Sequence, residues 1–211
     1  MKTILVTGFE PFGGESLNPS EEISRQLHGA VIARHQVVGA LLPCVFGAAV
    51  KELKHLIKLH GPVLVVCLGQ AGGRAEITPE RVAHTVDDAR SADNAGQQPV
   101  DRPVVKDGPA AYWSTLPIKA IVHALRKRGI PAAISQTAGT FVCNHVFYGL
   151  MHELAGQTRV RGGFIHVPFL PEQTADRPSL PLGTMLKAVE TALEVSLTRS
   201  RDVREVGGAT Q

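Results

Sequence analysis

A three-layer α/β/α sandwich on an open, twisted, mostly parallel (mixed) sheet is the fold this sequence predicts. Three observations carry the prediction. Short β-rich runs alternate with amphipathic stretches along the chain, the pattern that places helices on both faces of a sheet. One run, "PVLVVCLG" (62–69), is apolar without a break, as suits a strand covered on both sides. At 211 residues and 44% hydrophobic content, the chain can bury a sizeable core as one domain. Residues 1–211 are therefore read as a single domain, with about 201–211 as a flexible polar tail.

In chain order, "KTILVTGF" (2–9) is a strand that runs into a Gly/Pro-rich loop. "NPSEEISRQLHG" (18–29) is a helix: Asn18 can cap it, Pro19 suits its first turn, and Glu21 and Glu22 favour the positive end of its dipole. "HQVVGALLP" is a second strand, and "FGAAVKELKHLIKLHG" (46–61) an amphipathic helix ended by Gly61. After the apolar strand at 62–69 comes a long stretch rich in Gly, Pro, Asp and Asn, with a short strand expected around Val82 to Val86. "PIKAIVHALRKRG" (117–129) is a helix and "IPAAISQTAG" (130–139) a strand entering a turn. A helix follows in "AGTFVCNHVFYGLMHEL" (138–154), then a strand in "GGFIHVPFLP" (162–171) and a closing helix in "LGTMLKAVETALEVSLTRS" (182–200). In such a fold, sites collect where strands end and helices begin.

Composition excludes several functions. A net charge of only +3, spread-out basic residues and 5% aromatics argue against a nucleic-acid groove. No run approaches the roughly 20 apolar residues of a membrane span, and the first residues lack a signal-peptide core. Three cysteines without metal-type spacing imply neither a disulfide framework nor a metal site, so a cytoplasmic setting is expected. Cys67 reads as packing within its strand, and Cys44 is assigned no role.

Cys143 is the residue with the most to explain. With Gly139 breaking the strand and Thr140 as N-cap, it sits in the first turn of a helix. Unpaired N–H groups and the macrodipole there would lower a thiol pKa and could bind an oxyanion. A lone helical cysteine is more often a small buried hydrophobe, and both readings stand on this evidence alone. A metal pair with His145 fails, because residues two apart on a helix point about 200° away from each other. His152, nine residues on, lies about 180° round the helix from Cys143, so any base must come from elsewhere in the chain. His166, between Ile165 and Val167 in an apolar strand, is the best candidate, with a core histidine bonded to a carbonyl as the alternative. Glu80, after the buried strand and its Gly-rich turn, could orient that imidazole, or could be a surface carboxylate paired with Arg81.

Four ordered blocks, "TGFEPFGGESLNPS", "GQAGGRAEITPERVAHTVDDARSADNAGQQPVD", "TAGTFVCNHVFYGLMHEL" and "GGFIHVPFLPEQ", span almost the whole chain. Through them the sequence resembles the pyrrolidone carboxyl peptidases (pyroglutamyl peptidase type I), a family of cytosolic cysteine peptidases. The resemblance implies a catalytic triad of Glu80, Cys143 and His166. It also implies that Phe9 and Phe12 flank a flat pyrrolidone ring, with Gln70, Phe141 and Val142 completing the pocket. Arg90 would join the Cys143 amide at the oxyanion. Neither metal nor organic cofactor is implied; the partners are peptides with an N-terminal pyroglutamate, and the assembly is a homotetramer. The physical counter-readings are packing under the first helix for Phe9 and Phe12, a polar loop group for Gln70, and an ion pair with Asp87 or Asp88 for Arg90. Outside the resemblance, the fold class also admits a nucleoside phosphorylase or a silent binding module. "GFEPFGG" and "GQAGGR" lack nucleotide-binding spacing.

Overall fold

Alternate residues of the first strand, β1 (Lys2–Phe9), enter opposite apolar clusters: Ile4 and Val6 join one, Leu5 and Phe9 the other. In the computed structural model, which describes residues 1–208, the same alternation recurs on the neighbouring strands. On β4 (Leu64–Gln70), Leu64, Val66 and Leu68 face the first cluster and Val65 and Cys67 the second. On β10 (Arg161–Val167), Ile165 and Val167 oppose Phe164. Burial on both faces is why these runs are continuously apolar.

Helices supply the two outer layers. The first cluster is closed by α1 (Pro19–Leu27), α3 (Ile118–Lys127) and α5 (Leu182–Thr198) through Ile23, Ile121 and Val189. The second is closed by α2 (Ala48–His60) and α4 (Val142–Glu153) through Leu53 and Val146. The cap of α1 is as the sequence implies: the Asn18 side chain accepts the Ser20 N–H at 3.0 Å, with Pro19 in the first turn. Gly61 ends α2 in a left-handed conformation, φ 52°.

The sheet runs β2 (Val31–Ile32), β3 (His35–Leu42), β1, β4, β10, β5 (Thr78–Pro79). The four central strands are parallel, and β2 and β5 are antiparallel at the edges. Smaller pairs, β6 (Val82–His84) with β9 (Ala111–Trp113) and β7 (Val86–Asp87) with β8 (Arg102–Pro103), cover the outer side of α4. With elements on both sides, α4 buries almost its whole circumference. The order of strand addition reverses between β1 and β4, with β3 on one side of β1 and β4 on the other; this is the switch point where loops diverge and clefts open in open α/β sheets.

Two expectations need correction. Residues 130–139 do not form a continuous strand. Pro131–Ser135 is extended and exchanges four backbone hydrogen bonds of 2.9–3.1 Å with Ile77–Arg81, but as isolated parallel bridges at Ile77–Ala132 and Glu80–Ser135. The intervening bridge would need an N–H from Pro79, which has none. Nor is Thr140 the cap of α4. Its hydroxyl donates to the Asp88 carbonyl at 2.6 Å, and Phe141 holds the cap position with no side-chain hydrogen bond. The expected strand near residue 82 is present as β6 and β7. In the tail, residues 201–208 follow an irregular path in which Asp202 accepts the Lys119 and Ala120 N–H groups of α3 at 3.0 and 2.8 Å. The last part of the expected tail, 209–211, lies outside the described residues.

Candidate active site

At the C-terminal edge of the parallel strands an open cavity of about 470 Å³ lies between four loops. The loop after β1 lends it Phe12, Gly13 and Glu15, and the end of β4 with its turn lends Gln70, Ala71, Gly72 and Arg74. Ala138, Gly139, Phe141 and Cys143 come from the start of α4, and His166 and Phe169 from the end of β10.

Strand register explains how the imidazole and carboxylate meet. β5 lies antiparallel to β10 with Thr78 opposite His166, and two residues on, the Glu80 N–H donates to the Phe164 carbonyl at 2.9 Å. Residues two apart share a face, so the Glu80 and His166 side chains lie on the α4 side together. Glu80 Oε1 accepts from His166 Nδ1 at 2.7 Å; Glu80 is wholly buried and His166 nearly so. With its Nδ1 proton given to the carboxylate, the ring presents Nε2 as a free base. The same Oε1 accepts from Arg74 Nη1 at 2.8 Å, and Arg74 also donates to Thr78 Oγ1 and the Thr137 carbonyl. Arg74 thus neutralises the buried carboxylate, a role that no local signal in its Gly-rich turn marks, because its partners are fixed only by the fold. Glu80 Oε2 has no protein partner among the described residues.

Cys143 is the second residue of α4. The first helical hydrogen bond runs from His145 N–H to the Phe141 carbonyl at 3.1 Å, so the Cys143 N–H precedes the ladder and lacks an intrahelical acceptor. Its sulfur rests on Gly69: a Cβ there would lie 2.9 Å from Sγ and 2.8 Å from the Phe164 ring. Gly69 is in turn the ladder partner of His166, which puts thiol and imidazole side by side over neighbouring strands. No hydrogen bond joins Sγ to the ring among the described residues. Such bonds in a free enzyme are often long and tighten once substrate binds.

The thiol differs from expectation. Burial pushes the Cys143 pKa above the ordinary thiol range, reinforced by Cys44 and Glu80 and only partly opposed by Arg74. Burial thus opposes the lowering that the helix start would bring to the thiol.

Of the other residues named from sequence, Phe12, Gln70 and Phe141 line the cavity. Phe12 and Phe141 lie 6.1 Å apart between ring centroids, and Phe46 meets Phe141 edge-on at 5.4 Å. Phe9 and Val142 are buried and do not line it; Phe9 packs on Phe164. Arg90 is exposed and outside the lining, while its neighbour Asp88 is tied to Thr140 at the start of α4. Asp87 is engaged by His145, whose Nε2 accepts the Gly47 N–H at 3.0 Å; its Nδ1 therefore carries the proton donated to Asp87 at 2.8 Å. That buried pair, invisible to helix periodicity, fixes the first turn of α4 against two loops. Phe169, which the sequence reading also missed, packs its ring on Gly72.

Comparison with known proteins gives a consistent result. A family profile described as pyroglutamyl peptidase matches residues 2–199. A pyrrolidone-carboxylate peptidase of Bacillus cereus is 56% identical over 214 aligned positions, covering 100% of both chains. The crystal structure of Bacillus amyloliquefaciens pyroglutamyl peptidase I superposes with a TM-score of 0.93 at 48% identity, over 96% of this chain and 100% of that one. The pyrrolidone carboxyl peptidase of Thermococcus litoralis gives 0.94 at 40% identity, over 98% and 99%.

Proposed function

The chain belongs to the pyroglutamyl peptidase family, and from that premise we propose that Cys143, His166 and Glu80 carry out its chemistry. The enzyme is a cysteine peptidase that removes an N-terminal pyroglutamyl residue from peptides. The observation that supports the residue assignment best is the buried 2.7 Å Glu80–His166 pair beside the Cys143 thiol in one open cavity.

His166 Nε2 takes the thiol proton as the sulfur attacks the pyroglutamyl carbonyl, which suits a thiol whose pKa burial raises. The negative charge passes to the carbonyl oxygen and meets the Cys143 N–H at the helix start. Glu80 holds the imidazolium, with Arg74 balancing the carboxylate's remaining charge. His166 then gives its proton to the leaving amine, and the C–N bond breaks to leave a thioester. Water, deprotonated by the same ring, hydrolyses it and restores the thiol. Arg90 is proposed as a second oxyanion donor, reaching the site from its exposed position when substrate binds.

A pyroglutamyl residue has no free amine, so recognition rests on its flat ring and lactam. Phe12 and Phe141 supply an apolar wall and Gln70 the polar contact. Phe9 and Val142 contribute from behind that wall by packing. The single domain over residues 1–211, read from chain length and apolar content, the cytoplasmic setting, read from the cysteines and the resemblance, and the homotetramer, which rests on the resemblance, stay part of this proposal. Three unpaired thiols agree with the setting, and no described helix is long and apolar enough to cross a membrane. The test is hydrolysis of a pyroglutamyl arylamide beside its prolyl analogue, with and without iodoacetamide. Cleavage of the first alone, abolished by alkylation, is expected; cleavage that survives alkylation at Cys143 contradicts the assignment.

A further inference from the structure

Gln70 ends β4 and lines the catalytic cavity, and its side chain is held by Gln173, the last residue of the short 3-10 turn Pro171–Gln173. The Gln173 amide is pinned at both ends by backbone groups whose roles are not in doubt. Its Oε1 lies 2.9 Å from the Leu170 N–H, which can only donate. Its Nε2 lies 3.1 Å from the Leu17 carbonyl, which can only accept. The amide therefore has one orientation. The remaining Nε2 hydrogen points 2.9 Å to Gln70, and the atom receiving it must be Oε1. Gln70 Nε2 has no protein acceptor among the described residues and is the end left for whatever fills the cavity.

We infer that Gln173 is a positioning residue for substrate specificity: by occupying Gln70 Oε1 it commits Gln70 Nε2 to donate to the lactam carbonyl of the pyroglutamyl ring. The inference rests on the substrate reading above. A prolyl ring has no carbonyl at that place and leaves the buried donor unpaired, which is how a polar contact rejects an analogue lacking its partner. The loops after β1, β4 and β10 share this one side chain, so the preference is set by how those loops meet.

The test is steady-state kinetics on a pyroglutamyl arylamide with three variants. In Gln173→Glu the carboxylate still accepts the Leu170 N–H but has no hydrogen for Gln70. The Gln70 amide then turns to donate to it and presents Oε1 to the lactam carbonyl. KM should rise about tenfold or more while kcat stays within about threefold. Gln173→Lys keeps a donor for Gln70 and gives up the Leu170 bond, so its KM should stay within about threefold of the parent. Gln70→Glu preserves the Gln173 contact, and hence the loop junction, but faces an oxygen to the carbonyl; it should reproduce the KM rise even if Gln173→Glu folds poorly. Iodoacetamide should alkylate Cys143 at the parent rate in every folded variant. An unchanged KM in either glutamate variant, or an equal loss in Gln173→Glu and Gln173→Lys, overturns the inference. Failure of the parent enzyme to cleave the pyroglutamyl substrate instead overturns the substrate reading.

Discussion

Cys143 holds its proton more tightly than a free thiol, because desolvation outweighs the neighbouring guanidinium. In the free enzyme, alkylation at Cys143 should therefore be slow at neutral pH. Its rate should keep climbing beyond the ordinary thiol value of 9.0 without a plateau there, as stopped-time mass analysis would show. Cys67 carries a related effect into stability. Its pKa is pushed up to about 12 in the fold by burial, against 9.0 when exposed. Above pH 9 the unfolded chain loses that proton and the folded one keeps it, so stability present below pH 9 is lost as pH rises toward 12. Cys67→Ala should flatten the alkaline fall in unfolding free energy by roughly 1 kcal/mol per pH unit, read from urea melts between pH 9 and 11. Arg74 holds Glu80, Thr78 and the Thr137 carbonyl with a fork that lysine cannot reproduce. Arg74→Lys should lower kcat/KM about tenfold or more. At this scale the sequence shows residue types but not partners: Cys143, His166 and Glu80 stand out by setting, whereas Arg74 and the His145–Asp87 pair become visible only when distant loops meet.

The start of α4 depends on two devices that act between elements. Gly69 leaves room for the sulfur, and a methyl group there would lie 2.9 Å from Sγ and 2.8 Å from the Phe164 ring. Gly69→Ala should cost about 1–3 kcal/mol of stability and at least tenfold in kcat/KM, separable by thermal melts beside kinetics. Asn144, fully buried, accepts the His84 N–H and donates to the His84 and Val86 carbonyls, joining α4 to β6 and β7. Asn144→Ala strands those groups and should destabilise the fold by about 1–3 kcal/mol. Most elements were legible because their signals are local: unbroken apolar runs for β4 and β10, Asn18 and Pro19 for α1, Gly61 for α2. Elsewhere long-range contacts override the local signal. Thr140 looks like a cap but spends its hydroxyl on Asp88, and residues 130–139 have strand composition but face a proline across the ladder.

Across the whole molecule, parallel strands deliver their loops to one edge, and the reversal between β1 and β4 opens a cleft that the loops line. That much follows from strand–helix alternation. The depth of each residue in the cleft does not: Phe9 and Phe12 are three apart in one motif, yet only Phe12 reaches the cavity. The polar stretch that follows α5 likewise has a local task. Asp202 supplies the N-terminal cap that Pro117 cannot give α3, and Asp202→Ala should cost about 1 kcal/mol in a denaturant melt. The most direct measurement is turnover of a pyroglutamyl arylamide by Cys143→Ala, with its melting temperature taken alongside. Activity should fall by roughly 10⁴-fold or more in a protein that melts like the parent. Turnover near the parental rate in that variant would contradict the central claim that this sulfur is the nucleophile.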